Sequence, residues 1–242
     1  MDDWQQRTRI VLGDDGVQRL ARAHVLVAGV GGVGGAVAEA VARAGVGQMT
    51  LLDHDTVSLS NLNRQLVALH STLGRYKAQV MAERVRDIRP HTQVNARVEF
   101  VRQEGADALI ASGGFDLVID CIDSIACKAS LVHACQRHAV PVYSSLGAGG
   151  RLDVSKVGVS SLNQTHTCAL ARELRRALRE RGASLNSPVV YSWETPIKAL
   201  PHEPVGGDTP GRARAVNGTI SYMPNLFGMM LAGAALKGLL EQ

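Results

Sequence analysis

Apolar residues recur along this chain with two different periods. Short runs of strand length and partly β-branched character fall at His24–Ala28, Gln48–Leu52, Val94–Phe100, Phe115–Asp120 and Val140–Ser144. Between them lie stretches whose apolar positions repeat at helical spacing: Val33–Ala44, Lys77–Ile88, which is stopped by Pro90, and Ser124–His138. Asp14-Asp15-Gly16 looks like a helix start ahead of the first strand. Strands alternating with helices predict an α/β fold: a Rossmann-like, mostly parallel sheet with helices on both faces.

Past Gly147 the pattern changes. Arg151–Ser160 alternates as a strand, and Cys168–Arg181 is a strongly amphipathic helix. This half is expected to leave the parallel wind and form a C-terminal extension of additional strands and helices. Residues Glu194 to Gly218 carry Pro196, Pro201, Pro204 and Pro210 among several glycines, which suits a long mobile connection and makes the segment a candidate lid. Ile220–Leu240 is apolar but broken by Pro224, Asn225 and Lys237, so it reads as a buried or subunit-facing helix rather than a membrane span.

Composition narrows the picture only slightly. The formal net charge of +4 over 242 residues permits a nucleic-acid partner without requiring one. The four cysteines, Cys121, Cys127, Cys135 and Cys168, form no C-x-x-C pair, which argues against a zinc site or a disulfide framework and for a reducing compartment. The acidic N-terminus does not look like an export signal, so a cytoplasmic protein with no membrane partner is expected.

The chemistry begins at Gly29-Val-Gly31-Gly32-Val-Gly34, which opens a helix directly after a strand. Without side chains there, backbone amides can approach a phosphate at the positive end of the helix. Taken alone the pattern does not choose among NAD, FAD and ATP. Asp53 ends the second strand, where a carboxylate can accept from ribose hydroxyls. The stretch that follows, Asp53-His-Asp55-Thr-Val-Ser-Leu-Ser-Asn61-Leu-Asn63-Arg64-Gln65, then Lys77, is unexplained in a dehydrogenase.

With the later Asp120-Cys-Ile-Asp123, these motifs make the chain resemble the ThiF, MoeB and HesA superfamily of adenylating enzymes, relatives of the ubiquitin-activating enzyme, over roughly residues 7–150. The resemblance implies one domain over 1–242, with an ATP-binding half over 1–150 and a substrate and dimer half over 151–242. It implies ATP held by Gly29, Gly31, Gly32, Gly34, Asp53, Asn61, Arg64, Gln65 and Lys77. Asp123 would hold magnesium on the phosphates, and Arg7 would enter the ATP site of the partner subunit in a homodimer, with Arg9 as the alternative. A monovalent cation is a further candidate cofactor. The physical case agrees with these roles, because a carboxylate attacking an anionic phosphorus needs cations such as Arg64 and Lys77 to screen the approach.

Two branches of the superfamily remain open. One activates the C-terminus of a ubiquitin-like sulfur carrier; the other closes the threonylcarbamoyl group of threonylcarbamoyladenosine in tRNA into a ring at the expense of ATP. Carrier-activating relatives usually hold two C-x-x-C pairs, which are absent here. The runs Arg7–Gly13, Leu146–Ser155, Leu170–Gly182 and Val189–Glu194 resemble the tRNA branch, although Thr167-Cys168 departs from its expected Asp-Pro. A cysteine-desulfurase or sulfur-acceptor system is a further candidate partner. Arg172, Arg175, Arg176 and Arg179 follow i, i+3, i+4, i+7 spacing and so share a helix face that could grip tRNA phosphates, or simply be solvated.

Overall fold

A computed structural model describes residues 4–101, 103–197 and 218–241. A seven-stranded sheet runs in the order β3-β2-β1-β4-β5-β7-β6. Its strands are β1 (His24–Ala28), β2 (Gln48–Leu52), β3 (Gln93–Arg97), β4 (Leu117–Asp120), β5 (Val142–Ser145), β6 (Val157–Ser161) and β7 (Pro188–Ser192). Every pairing is parallel except β6 with β7. The helices are α1 (Gln6–Arg22), α2 (Gly32–Ala44), α3 (Lys77–Ile88), α4 (Ala106–Gly113), α5 (Ile125–Arg137), α6 (Ala169–Arg179) and α7 (Tyr222–Leu240).

The period of two along each strand divides the core. Val25, Val27, Met49, Leu51, Leu117 and Ile119 join residues of α2, α3 and α7 in one cluster. Leu26, Ala28, Val118 and Val142 join α4, α5 and α6 in the other. Both faces of the sheet are therefore covered, as parallel strands require.

Several expectations are corrected. The first helix begins at Gln6, not at Asp14; Gly13, at φ 68° and ψ 178°, interrupts it, so Asp14 opens only its second piece. The third strand ends at Arg97 rather than Phe100. α4 is not predicted by the pattern, because eight residues are too short to display a helical period. Of Arg151–Ser160, only the part from Val157 is strand; a 3-10 turn at Val154–Lys156, capped by Asp153 accepting from the Ser155 amide, precedes it. Among the described residues the C-terminal half leaves the parallel wind only through β6, since β7 continues it beside β5. Most of the proline-rich connection, 198–217, lies outside the described residues.

α7 is the one described helix long and apolar enough to cross a membrane. Its Met223, Phe227, Leu231, Ala235 and Leu239 instead belong to the core with α2, and a Cβ on Gly228 would stand 2.5 Å from the Val33 carbonyl oxygen. The expectation of a buried helix holds.

Candidate nucleotide site

The glycine loop joins β1 to α2 at the point where the strand order reverses between β1 and β4, the place where open α/β sheets bind ligands. Gly29 sits at φ +88°, and a Cβ there would lie 2.9 Å from the Cys121 carbonyl oxygen. The main chain after β4 is therefore the floor of the loop. A Cβ on Gly34 would lie 1.7 Å from the Gly29 oxygen, so the first turn of α2 can close onto the loop only without a side chain.

Asp53 is buried at the end of β2, where Oδ2 accepts from the Val30 amide at 2.6 Å and Oδ1 from the Asp55 amide at 2.8 Å. The proposed ribose acceptor thus already braces the glycine loop. Asp55 in turn accepts from the buried Lys77 ammonium at 2.8 Å, and its carbonyl accepts from the Lys77 amide at 3.0 Å. The start of α3 is tied to the end of β2 twice through one residue. Asp53, His54 and Asp55 cluster closely enough to suggest a metal site. However, the Asp53 oxygens already accept from two amides, and Asp55 is engaged by Lys77 and by His54 Nε2 at 3.2 Å, which leaves the cluster closed by the protein's own donors.

Asn61, buried in a 3-10 turn (Leu59–Asn61), accepts from the Ser58 amide at 3.1 Å and so shapes the loop that presents Arg64. Arg64 is half-buried, its guanidinium donating to the Ser60 carbonyl at 2.9 Å and to Asn63 Oδ1 at 2.8 Å. A Cβ on Gly32 would lie 3.6 Å from Arg64 Cγ, and one on Gly31 would lie 3.8 Å from Gln65 Nε2, so Arg64 and Gln65 stand against the glycine loop. Gln65 is buried and its Oε1 has no partner. An orphaned acceptor beside a glycine cradle fits a site built for a bound nucleotide with donors of its own.

Pro224 and Asn225, at the start of α7, also reach this site, and the motif reading missed them. A Cβ on Gly32 would stand 2.9 Å from Pro224 Cβ, while Asn225 Nδ2 donates to the Arg64 carbonyl at 3.3 Å. Asn63 Nδ2 donates to the Thr219 carbonyl at 3.0 Å. No local sequence signal marks a helix some 160 residues away as part of the phosphate end.

Asp123 is exposed in the turn between β4 and α5, the right place for the single carboxylate that a small hard cation uses alongside nucleotide phosphates. Arg7 is exposed at the start of α1. The four arginines of α6 lie on the opposite face of the sheet from α2. They do not act alike: Arg172 and Arg176 are 73% and 71% exposed and pair with Glu173. Arg175 turns inward to donate to the Thr165 carbonyl at 2.9 Å and to the Thr165 hydroxyl. The expected face of four is a face of three, because Arg175 closes the turn before its own helix.

Cys127, Cys135 and Cys168 are buried, and Cys121 keeps some accessible surface. Burial and the neighbouring Asp120 carboxylate push the Cys121 thiol well above its usual range, and burial pushes Cys135 up to about 12. Neither offers a thiolate near neutral pH.

A glycine cradle, a buried carboxylate bracing it and two cations at the carboxyl edge of a parallel sheet define a protein of the nucleotide-binding α/β class with a site suited to phosphate chemistry. The model of the ThiF family matches residues 5–242, and the chain belongs to that family. It is 34% identical over 239 residues to the tRNA threonylcarbamoyladenosine dehydratase of Bacillus subtilis, covering 97% of this chain and 94% of that one. The crystal structure of the E. coli tRNA N6-threonylcarbamoyladenosine dehydratase in complex with ATP matches with a TM-score of 0.87 at 34% identity, covering 100% of this chain and 96% of that one. The molybdopterin-synthase adenylyltransferase of Salmonella typhimurium is 39% identical, but over 157 residues, 64% of this chain and 60% of that one.

Proposed function

We propose that this chain is an ATP-dependent tRNA dehydratase that adenylates the threonylcarbamoyl carboxylate of threonylcarbamoyladenosine and closes it into a ring, releasing AMP and pyrophosphate. The observation that carries this reading is the end-to-end likeness to the dehydratases, which spans 97% of the chain in sequence and all of it in structure, whereas the likeness to the adenylyltransferase covers 64%.

ATP would lie with its phosphates over the amides at the start of α2 and its ribose toward Asp53. The substrate carboxylate attacks the α-phosphorus and pyrophosphate leaves. Arg64 and Lys77 screen the approach and take up the charge of the departing group. The carbamoyl group of the same substrate then attacks the activated carbonyl carbon, AMP departs with the former carboxylate oxygen, and one proton is lost. The net change in the nucleoside is one water. Because nucleophile and electrophile share one molecule, no cysteine is needed. A magnesium ion held by Asp123 would supply charge to the phosphates.

A homodimer and a cytoplasmic location complete the proposal. The first piece of α1 carries Ile10 and Val11, each 79% exposed, beside the exposed Arg7, a surface suited to a second copy of the chain. The whole chain is read as one domain, with 1–150 binding nucleotide and 151–242 completing the site and the substrate side.

The deciding experiment measures AMP and pyrophosphate release from ATP with tRNA bearing threonylcarbamoyladenosine, against unmodified tRNA. Release only with the modified tRNA, together with loss of one water mass from the nucleoside, is expected. Silence with tRNA but pyrophosphate exchange on adding a carrier protein ending in Gly-Gly would move the chain to the other branch.

For the tRNA surface, the exposed arginines give a quantitative expectation. Replacing Arg172, Arg176 and Arg179 by serine is expected to weaken tRNA binding across sequences and to lower the slope of log affinity against log salt by about 2–3, roughly one per lost phosphate contact. ATP affinity should be unchanged. An unaltered salt slope would return this face to plain solvation.

A further inference from the structure

Beneath the turn that carries Asp123 lies an ion pair with no access to solvent. Lys128, in the first turns of α5, donates to Asp120 Oδ2 at 2.6 Å, and both side chains are 0% exposed. The same oxygen accepts from Ser144 Oγ at 2.8 Å, at the end of β5, and Oδ1 accepts from the Ile122 amide at 3.1 Å. Asp120 also ends β4, where its register partners are Ala28 of β1 and Ser144 of β5. Three strands and one helix meet at this one residue, β1 through the backbone and β5 and α5 through the carboxylate.

Burying two charges is costly, and an apolar pair would fill the same space without that cost. Nothing in the adenylation chemistry touches Lys128 directly. What the pair does fix is the direction of the chain leaving β4. Oδ1 holds Ile122 and the Cys121 amide donates to the Ala28 carbonyl at 2.8 Å, so the 121–123 turn is pinned at its first two residues. The Cys121 carbonyl is the floor under Gly29, and Asp123 is the next residue but one.

We infer that Lys128 is a positioning residue of the nucleotide site: by locking Asp120 it holds the 121–123 turn, and with it the Asp123 carboxylate, in place before the nucleotide arrives. The inference rests on the role given to Asp123 above. Lys128 offers the lock a donor that cannot be exchanged for water at this depth. Ser144 adds the edge of β5, so the turn is set relative to three strands at once.

The test is a cycle of equilibrium ATP affinities measured calorimetrically with excess magnesium and no tRNA, with thermal midpoints read beside them. The first variant is the neutral pair Asp120→Asn with Lys128→Met, which leaves no unpaired charge in the core. It is expected to fold and to lose about tenfold in affinity, the scale on which groups supporting a ligating side chain act. In an Asp123→Ala background the same pair should cause little further loss, because both changes act through one carboxylate. Ser144→Ala, which removes one donor without changing charge, should lower affinity in the same direction by less, and keeps the question open to measurement if the pair fails to fold.

A neutral pair that binds ATP like the unaltered chain, or that adds its full loss on top of Asp123→Ala, overturns the inference while leaving the site reading intact. Equal affinity in the unaltered chain and in Asp123→Ala would instead overturn the reading of Asp123 itself, and the inference with it.

Discussion

Substituting alanine for Gly34 is expected to abolish ATP binding and to lower the thermal midpoint by about 2–12 °C, the range set by an overpacking cost of about 1–3 kcal/mol in a chain of this size. The added Cβ would stand 1.7 Å from the Gly29 carbonyl oxygen and 3.3 Å from Cys121 Cβ. Neither neighbour is the far end of a flexible side chain. The loop must open away from α2, which moves the amides that would meet the phosphates. Gly31→Ala is the matched control, since the nearest atom to its added carbon is Gln65 Nε2 at 3.8 Å. It should leave the midpoint nearly unchanged. Calorimetric ATP titration and a thermal melt on the two variants decide the matter, and wild-type ATP affinity in Gly34→Ala would show that the loop is not the phosphate cradle.

Lys77→Met is the second large effect, with AMP formation expected to fall about 10²–10³-fold, the scale of removing one group that stabilises developing charge. The ammonium is buried, but its partner Asp55 is 44% exposed, so loss of the lysine leaves the carboxylate in contact with water and the fold intact. The deficit should therefore appear in kcat rather than in the thermal midpoint. Lys77→Arg is expected to rescue poorly, since a planar guanidinium does not fit a slot shaped around a compact ammonium already held by Asp55. Pyrophosphate release under saturating ATP measures both variants. A fall of less than about tenfold for Lys77→Met would remove it from the phosphate-stabilising role.

Much of this was readable in one dimension. The boundaries of β1, β2 and α3 coincide with their apolar runs because each is a continuous stretch whose burial follows its own period, strand or helix. The glycine loop, Asp53, Arg64 and Lys77 stand out in the sequence as candidates because phosphate chemistry restricts both residue type and spacing along a strand-turn-helix unit. α4 was not, being short, and neither was the end of β3, where Val98 and Phe100 continue the alternation after Arg97 has made the last ladder pair with Leu52.

What the sequence by itself determined is the alternation of strands and helices, and the residue types of a candidate nucleotide site within the first 123 positions. Only the tertiary structure decided which groups share an environment. Arg175 left the basic face because Thr165 offered it acceptors, Lys128 proved to be wholly buried against Asp120, and Asn225 arrived beside Arg64 from the last helix. The physical reason is that periodicity and motif spacing record interactions within about two turns of chain, whereas burial, pairing of charge and completion of a site depend on contacts between elements far apart in sequence, which no local pattern encodes.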